Sequence, residues 1–280
     1  MIKLNGHNVE TGRFPDGTMA LKNEFFTGII EEKEFHFEWY YENNDETMLL
    51  YYTVMHFREN AKKDAKFYLH LYYIPNARMD RVKELSEVFT LKYFCQLINT
   101  MNFDKVFVLD AHSNVSLALL DRVEQIDVGE YINRSIEMFN PDVIFFPDEG
   151  SCKRYGDLIN GKAMLGRKEG YRHPYQFAYA NKKRDWCTGK ILGLEVVGGD
   201  IVKGKRVLIV DDICSKGGTF YFSAKELKNL GAANVGLYIT HCENTILTGD
   251  LIVSGLVDNI YTTDSIITIE HPLISVFNVN

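Results

Sequence analysis

The sequence predicts an α/β protein with two tandem domains, each a mainly parallel sheet flanked by helices. Short aliphatic runs typical of buried parallel strands alternate along the chain with stretches whose apolar residues recur at helical spacing. The same order of elements occurs twice, so we predict one domain over residues 1–135 and another over residues 136–280. With 280 residues, of which 46% are hydrophobic, the chain is long enough for two small cores.

The first half contains two predicted strands and one predicted helix. Lys66–Ile74 and Val106–Leu109 are apolar runs of strand length. Between them, Val88–Met101 is predicted as a helix because Val88, Leu91, Cys95 and Ile98 share one stripe. Residues 24–64 are rich in Glu, Asn, Phe and Tyr, and the sequence leaves their structure open.

The second half contains the most complete pattern. It begins with a predicted helix, Tyr131–Phe139, and a predicted strand, Val143–Phe146. It continues with a strand, a helix and a second strand, which are predicted over Val207–Val210, residues 219–230 and Val235–Thr240. These three elements form a complete βαβ unit, and Gly231 is placed to end its helix.

Arg206–Thr219 is the most informative segment. Asp211 and Asp212 follow a predicted parallel strand, whose carboxyl end delivers residues to a ligand crevice. Two neighbouring acceptors suit the vicinal hydroxyls of a ribose, although an N-cap pair is the alternative. Gly217 and Gly218 allow a tight turn, and the following helix N-terminus favours phosphate. We therefore predict a sugar-phosphate site, with a plain βα turn as the other interpretation.

Two other predicted strands also end in polar groups. Asp110 and His112 are separated by one residue, so both side chains can face one side of an extended segment and suit a divalent ion. A packed or capping histidine is the alternative. Asp148 and Glu149 follow the strand Val143–Phe146, where they are either site residues or the acidic first turn of a helix.

A basic segment interrupts an otherwise acidic chain. Lys153–Lys190 contains ten Lys or Arg and three Asp or Glu, and it includes the run Asn181–Asp185. This run is either a solvated face or a loop that closes cations over a polyphosphate. A Walker A spacing is absent from the sequence, so any ATP is held by another kind of site.

Composition argues against several classes of protein. A net charge of −7 disfavours nucleic-acid binding, which needs a basic face. Five cysteines without a CxxC pair indicate reduced thiols rather than a disulfide framework or a zinc site. Met1–Glu10 lacks an apolar signal region, and the sequence nowhere has eighteen consecutive apolar residues. We therefore expect a cytoplasmic protein with neither nucleic-acid nor membrane partners.

Six segments together carry a family resemblance. In chain order they are Arg13–Gly17, Tyr72–Arg81, Leu109–Ser113, Phe146–Gly150, Lys182–Arg184 and Val210–Thr219. They resemble, in the same order, the motifs of the ribose-phosphate pyrophosphokinase (PRPP synthetase) family. The resemblance implies two type I phosphoribosyltransferase-like domains and an ATP diphosphotransferase. In that reaction the anomeric 1-hydroxyl of a ribose 5-phosphate attacks the β-phosphorus of Mg-ATP, and AMP leaves.

The resemblance also implies roles for individual residues. The groups expected to bind the ribose phosphate are Asp211, Asp212, Ser215, Lys216, Gly217, Gly218 and Thr219. Those expected to bind ATP are Phe14, Asp16, Arg78, Asp80 and Arg81, the first two often from a neighbouring subunit in this family. The catalytic residues would be Lys182, Arg184 and His112, and the Mg²⁺ ligands His112, Asp148 and Asp211. The expected assembly is a homo-oligomer, at least a dimer, in the cytoplasm, or in the host cytoplasm for a phage protein.

One departure from the family pattern bears on the acceptor. The family loop Asp-Thr-Ala-Gly-Thr is replaced here by Ser215-Lys216-Gly217-Gly218-Thr219, which loses an acid and gains a cation and a glycine. Lys216 and the smaller Gly217 would tolerate a longer, more anionic 5′ substituent. The acceptor is therefore ribose 5-phosphate or ADP-ribose, as in phage NAD-rebuilding enzymes that resemble this family.

Two further functions remain as alternatives. A type I phosphoribosyltransferase would consume a ribose 1-diphosphate, but such chains usually lack the motifs around Arg78 and His112. An inactive regulatory homologue would have lost active groups, whereas Lys182, Arg184, His112 and Asp212 are all present.

Overall fold

The structure is a computed structural model that describes residues 1–160, 175–184 and 191–279, with the backbone alone at residues 160, 182–184 and 191–194. The chain divides into two compact units, Met1–Asp127 and Val128–Asn280. The sequence places the boundary between residues 135 and 136, which lies inside the helix Gly129–Phe139. Because a helix is one continuous hydrogen-bonded element, all of it belongs to the second unit.

Unit 1 contains eight strands and four helices. The strands are β1 (Ile2–Leu4), β2 (His7–Asn8), β3 (Gly12–Arg13), β4 (Met19–Ala20), β5 (Glu34–Trp39), β6 (Lys66–Leu71), β7 (Lys105–Leu109) and β8 (Val123–Ile126). The helices are α1 (Phe26–Ile29), α2 (Asp45–Asn60), α3 (Thr90–Thr100) and α4 (Asn114–Leu119). Both predicted strands and the predicted helix of this half are present.

The main sheet of unit 1 has the order β2-β1-β5-β6-β7-β8. Strands β5 to β8 run parallel, whereas β1 pairs antiparallel with β5. The sequence left β5 open, although Phe35, Phe37 and Trp39 are fully buried and alternate with partly exposed residues. This period of two is the signal of a strand with one face on the core.

Unit 2, in the part of the chain that the structure describes, contains seven strands and four helices. The strands are β9 (Val143–Phe146), β10 (Gln176–Arg184), β11 (Ile191–Val197), β12 (Arg206–Cys214), β13 (Asn234–Cys242), β14 (Asn259–Thr263) and β15 (Ile274–Phe277). The helices are α5 (Gly129–Phe139), α6 (Glu149–Asn160), α7 (Gly218–Asn229) and α8 (Asp250–Val253).

These strands form one sheet with the order β11-β10-β9-β12-β13-β14-β15. All neighbours are parallel except β10 and β11. Strand β12 is central and fully buried from Val207 to Val210, as predicted. Within the described residues, no helix is long and apolar enough to cross a membrane.

The strand β12 is longer than the sequence predicts. The prediction ended it at Val210, because the unbroken aliphatic run ends there. The ladder with β13 instead continues to the pair formed by Cys214 and Cys242, and the Glu243 amide then donates to the Cys214 carbonyl oxygen at 2.8 Å. Cross-strand pairing outweighs local propensity here, so Asp211 and Asp212 lie within the strand rather than after it.

Candidate active site

Three carboxylates lie near the carboxyl ends of two neighbouring strands, β9 and β12. Asp211 and Asp212 belong to β12, and Asp148 follows β9. Asp212 is only 6% exposed and accepts a hydrogen bond from Nη1 of Arg154 at 3.0 Å. Arg154 lies on α6, so this ion pair connects that helix to the strand end and fixes the Asp212 carboxylate.

The carboxyl group of Asp211 is electrostatically strained. Burial, the charge of Asp212 and the charge of Asp148 raise its pKa well above the usual value, against the opposing effects of the Asp212 amide and of Arg154. Like charges held together at low solvent exposure disfavour the ionised form. This is the condition that a bound cation relieves.

Asp148 has a local structural role as well as a charge. Its Oδ1 accepts from the Ser151 amide at 3.0 Å, in the first turn of α6. The acidic helix start considered from the sequence is therefore present. The charge of Asp148 also raises the pKa of Asp211, so the Asp148 side chain contributes to the electrostatic field at Asp211 as well.

The loop between β12 and α7 has the shape of an anion-binding turn. Gly217 adopts φ +78°, a conformation that side-chain-bearing residues rarely take, and α7 begins at Gly218. Lys216, Gly218 and Thr219 are exposed, and a Cβ built on Gly218 meets nothing within 4 Å. The first N–H groups of α7 are therefore accessible to an anion.

Residues 245–251 pack against this loop. A Cβ on Gly217 would lie 2.9 Å from the Leu251 side chain, and a Cβ on Gly249 would overlap the carbonyl oxygen of Lys216. The Ser215 hydroxyl lies 3.2 Å from that of Thr245. Gly217 is thus required by its backbone conformation and by Leu251. The sequence interpretation, in which its small size makes room for a ligand, is corrected accordingly.

In unit 1 the structure joins two of the predicted motifs through Asp80. This carboxylate is 6% exposed and accepts two hydrogen bonds from Arg81, at 2.7 and 3.1 Å. The Arg81 hydrogen bonds lower the pKa of Asp80, as do the Ser113 hydroxyl and the charge of His112, while burial opposes them. Asp80 therefore fixes the Arg81 guanidinium, and the positive charge of His112 acts on the same carboxylate. Arg78, also predicted to bind ATP, is exposed.

The backbone entering the His112 segment has an unusual conformation. Asp110, at the end of β7, is fully buried and has φ +42°, which few residues other than glycine adopt. Such conformations concentrate at functional sites and turn the chain sharply. The turn places Ala111 in the core and leaves His112 half-buried.

The hairpin of β3 and β4 carries the remaining predicted ATP residues. Phe14 is 57% exposed, and its amide donates to the Thr18 carbonyl oxygen at 2.9 Å. Asp16 accepts from the Thr18 hydroxyl at 2.7 Å and from its amide at 3.0 Å, and these bonds lower the pKa of Asp16. The turn thus leaves the Phe14 ring accessible.

The two predicted catalytic cations lie only partly within the described structure. The backbone of Lys182 and Arg184 belongs to β10, and Lys182 pairs with Leu194 of β11. Their side chains lie outside the described part of the chain, as do residues 161–174 and 185–190 of the basic segment. Their predicted roles remain predictions.

The structure adds three residues at the candidate site that sequence reasoning missed: Arg154, Gly249 and Leu251. Arg154 was counted in the basic segment without a role, although it lies six positions after Asp148 and forms an ion pair with Asp212. Gly249 and Leu251 gave no signal, because their contacts with the loop span more than thirty positions in the sequence.

The carboxylates of Asp148, Asp211 and Asp212 offer negative charge and oxygen ligands, and a hard divalent cation prefers both. Mg²⁺ binds oxygen and usually takes only one or two carboxylates together with water and phosphate oxygens. Among the described residues, no group of three or more His, Cys, Asp or Glu is close enough to hold one ion. Asp148 and Asp211 supply carboxylate oxygens of the kind that Mg²⁺ binds.

Comparison with known proteins finds similarity to one group of enzymes and to one domain family. Residues 119–248 match the family model described as phosphoribosyl transferase domain. Ribose-phosphate pyrophosphokinase of Pyrococcus furiosus is 29% identical over 244 residues, which cover 84% of this chain and 77% of that protein. Ribose-phosphate pyrophosphokinase 2 of Archaeoglobus fulgidus is 26% identical over 263 residues, which cover 91% of this chain and 83% of that protein.

A solved structure supports the fold. Phosphoribosylpyrophosphate synthetase of Mycobacterium smegmatis superposes with a TM-score of 0.74, covering 97% of this chain and 86% of that chain at 18% identity. The predicted α/β fold with phosphoribosyltransferase-type domains is confirmed. The chain is therefore similar to ribose-phosphate pyrophosphokinases, which are ATP diphosphotransferases, as its sequence motifs indicate.

Proposed function

We propose that the protein transfers the β,γ-diphosphate of ATP to the anomeric 1-hydroxyl of a ribose 5-phosphate moiety and releases AMP. The observation that supports this most is the carboxylate pair of Asp211 and Asp212, which directly precedes an open anion-binding turn at the start of α7. Carboxylates that accept hydrogen bonds from a diol, followed by a turn that binds phosphate, suit a ribose 5-phosphate group.

The residues of this chain divide the work between binding and positioning. The α7 N-terminus and Lys216 bind the 5′-phosphate, and the carboxylates of Asp211 and Asp212 accept hydrogen bonds from the ribose hydroxyls. Arg154 keeps Asp212 in place through the 3.0 Å ion pair. With the sugar fixed at both ends, its 1-hydroxyl is held in line with the β-phosphorus, and positioning of this kind lowers the barrier.

Mg²⁺ is proposed as the cofactor, with Asp211 and Asp148 of unit 2 as its candidate ligands. A role for His112 of unit 1 as a further ligand rests on the family motif alone. When bound, the ion neutralises charge on the phosphate oxygens during transfer. Asp211 would then be ionised despite its raised pKa, since a cation offsets the charges of Asp148 and Asp212.

The two cations of β10, Lys182 and Arg184, are proposed to contact the transferring diphosphate. This role rests on the family motif. A cation placed where negative charge develops stabilises the transition state. Arg78, Asp80 and Arg81 are proposed on the ATP side, where Asp80 fixes the Arg81 guanidinium by its bidentate contact.

We propose that ADP-ribose is the preferred acceptor. Lys216 is exposed beside the loop, where it is able to meet the second phosphate of a diphosphate. Gly218 leaves open space on the helix surface, and Phe222, one turn later on the same stripe, is 59% exposed. The two positions are about 6 Å apart along the helix, and a helical side chain leans toward the N-terminus. Stacking of Phe222 on an adenine tethered through the diphosphate is therefore the proposed contact.

Replacing Phe222 by alanine is expected to lower kcat/KM for ADP-ribose by about tenfold, because base stacking on an aromatic ring contributes about 1–3 kcal/mol. Ribose 5-phosphate carries no base, so its kcat/KM should stay unchanged. Tyr93→Ala is a matched control, since Tyr93 is 58% exposed on α3. Equal losses for both acceptors, or none, would count against the stacking role.

Replacing Lys216 by threonine is expected to shift preference from ADP-ribose toward ribose 5-phosphate by about tenfold, the scale of one charge-assisted hydrogen bond. The ratio of kcat/KM for the two acceptors measures this. Gly217 is left unchanged, because alanine there meets both the positive φ and Leu251. Lys225→Thr, an exposed change later on α7, should leave the ratio as it is. An unaltered ratio in Lys216→Thr would contradict the loop interpretation.

We also propose a homo-oligomer, at least a dimer, in which the exposed Phe14 hairpin reaches a neighbouring subunit. Sedimentation equilibrium measures the state directly. A monomer with full activity would exclude the shared site. The alternative of a phosphoribosyltransferase is separated by AMP release, which that reaction does not produce.

A further inference from the structure

A pocket in unit 1 has a cationic lining that the proposed reaction does not use. It has a volume of about 250 Å³, and its charged lining residues are Arg58, Lys63, Asp64, Lys66, Asp104 and Arg122. Four of these side chains are cationic and two are acidic, which leaves a formal charge of +2. The whole chain carries −7, so this pocket reverses the sign of its surroundings.

The pocket lies at the opposite edge of the sheet from the predicted ATP residues. Lys66 begins β6 and Asp104 directly precedes β7, whereas Asp80 and His112 follow the carboxyl ends of these strands. The strands are parallel, and six residues of β6 separate the two edges by roughly 20 Å. The two sites are therefore distinct.

Two guanidinium groups are fixed in the pocket by one residue. Arg58 donates to the Asn102 carbonyl oxygen, and Nη2 of Arg122 donates to the Asn102 Oδ1 at 2.9 Å. The Arg58 guanidinium lies 3.7 Å from the centre of the Phe67 ring. Two neighbouring positive charges repel each other, and a bound anion offsets this repulsion. Because both guanidinium groups are already held in place, binding an anion does not cost the entropy of ordering them.

Donors remain available for such an anion. The Arg58 Nε is buried and has no hydrogen-bond partner among the described residues, although a buried N–H normally has one. Across the same part of the chain, Arg122 and Lys63 form no ion pair with a carboxylate. Asp104 is engaged by Lys66 at 2.9 Å and by the Phe67 amide at 2.9 Å, and it lies 3.9 Å from Arg58.

The electrostatics of Arg58 agree with this geometry. Burial lowers the pKa of its guanidinium, the charge of Asp104 raises it, and the charge of Arg122 lowers it again. The local carboxylate therefore offsets the cations incompletely. A doubly charged tetrahedral anion provides several acceptor oxygens and the missing negative charge, and guanidinium groups match its geometry.

We propose that the pocket formed by Arg58, Arg122 and Lys63 is a second anion site that binds a phosphate group. The group comes either from inorganic phosphate or from a nucleoside monophosphate whose base stays outside. The site is independent of the diphosphate transfer reaction, and its test does not depend on activity.

The test follows the Arg Nε–Hε signals of protein labelled with ¹⁵N-arginine. Inorganic phosphate is titrated at constant ionic strength against chloride, and AMP in a second series. The Arg58 signal, assigned by its loss in Arg58→Gln, is expected to shift and saturate, while those of Arg13 and Arg134 stay in place. Tighter saturation by AMP than by phosphate identifies a nucleotide as the source, and the reverse identifies the free anion. An Arg58 signal that moves with neither would overturn the proposal.

Matched variants separate binding from structure. Arg122→Gln should weaken binding at Arg58 about tenfold and Lys63→Gln about threefold, whereas the exposed change Lys92→Gln should leave it unaltered. Asp104→Asn keeps the shape of the side chain, removes its charge and should tighten binding about threefold. Lys63 is exposed, so its variant folds even where Arg122→Gln does not. Unchanged affinity in Lys63→Gln together with weaker binding in Asp104→Asn would refute the site.

Discussion

Replacing Asp211 by asparagine is expected to make the protein more stable and almost inactive. The native pKa of this carboxyl is raised by burial, by Asp212 and by Asp148, so ionising it at neutral pH costs stability. Asparagine keeps the shape of the side chain and removes its charge. The free energy of unfolding should rise by about 1 kcal/mol, which raises Tm by about 2–4 °C. Loss of the ribose and metal contact should lower kcat about a hundredfold or more.

The pH dependence follows from the direction of the shift. A raised native pKa means that the native state binds the proton more tightly than the unfolded chain, whose pKa is near 3.8. Ionising Asp211 in the native state lowers the free energy of unfolding. This loss of stability is absent below pH 3.8, grows as the carboxyl of the unfolded chain ionises, and is complete above the native pKa. The Tm advantage of Asp211→Asn should therefore be larger at pH 8 than at pH 5.

Two controls accompany this variant. Asp200→Asn changes an exposed carboxyl and should alter neither Tm nor kcat. Mg²⁺ should raise the Tm of the wild type more than that of Asp211→Asn, because the ion offsets a repulsion that the variant lacks. A lower Tm with retained activity in Asp211→Asn would contradict the assignment of this carboxyl to the site.

Replacing Gly249 by alanine is expected to displace the loop between β12 and α7. The new methyl group would overlap the Lys216 carbonyl oxygen, which belongs to the backbone and cannot swing away like the end of a side chain. Overpacking of this kind costs about 1–3 kcal/mol. Because the displaced backbone precedes the phosphate-binding turn, KM for the ribose-phosphate acceptor should rise about tenfold or more, and KM for ATP should change little.

Gly28→Ala is the matched control for this change. A Cβ at Gly28, in α1, meets no atom within 4 Å, so that variant should keep the Tm and both KM values of the wild type. If Gly249→Ala raised the two KM values equally, the segment would act through overall stability rather than through the loop.

Much of the fold follows from local patterns. The aliphatic runs of β9 and β12 predict buried strands, and the apolar stripe of α3 predicts its helix within two residues at each end. One feature depends on a partner that local patterns do not reveal, because the end of β12 is set by pairing with β13 as far as Cys242. The alternation of β5 is a local signal that sequence reasoning did not use.

The candidate site divides in the same way. Asp211, Asp212 and the glycine turn are contiguous in sequence, so their combined chemistry was predictable. The ion pair that fixes Asp212 joins it to Arg154, 58 positions away. The sequence assigned Asp80 to ATP, but only the structure shows that its oxygens hold Arg81. Contacts of this range arise from the packing of helices on the sheet.

The most direct test of the account is the product formed from Mg-ATP and ADP-ribose. Mass spectrometry of the reaction should show AMP and ADP-ribose 1-diphosphate in equal amounts, with both formed about a hundredfold or more slowly in Asp211→Asn. A parallel reaction with ribose 5-phosphate should be slower. ATP that stays intact with both acceptors would contradict the proposed diphosphate transfer, and product from ribose 5-phosphate alone would contradict the proposed acceptor.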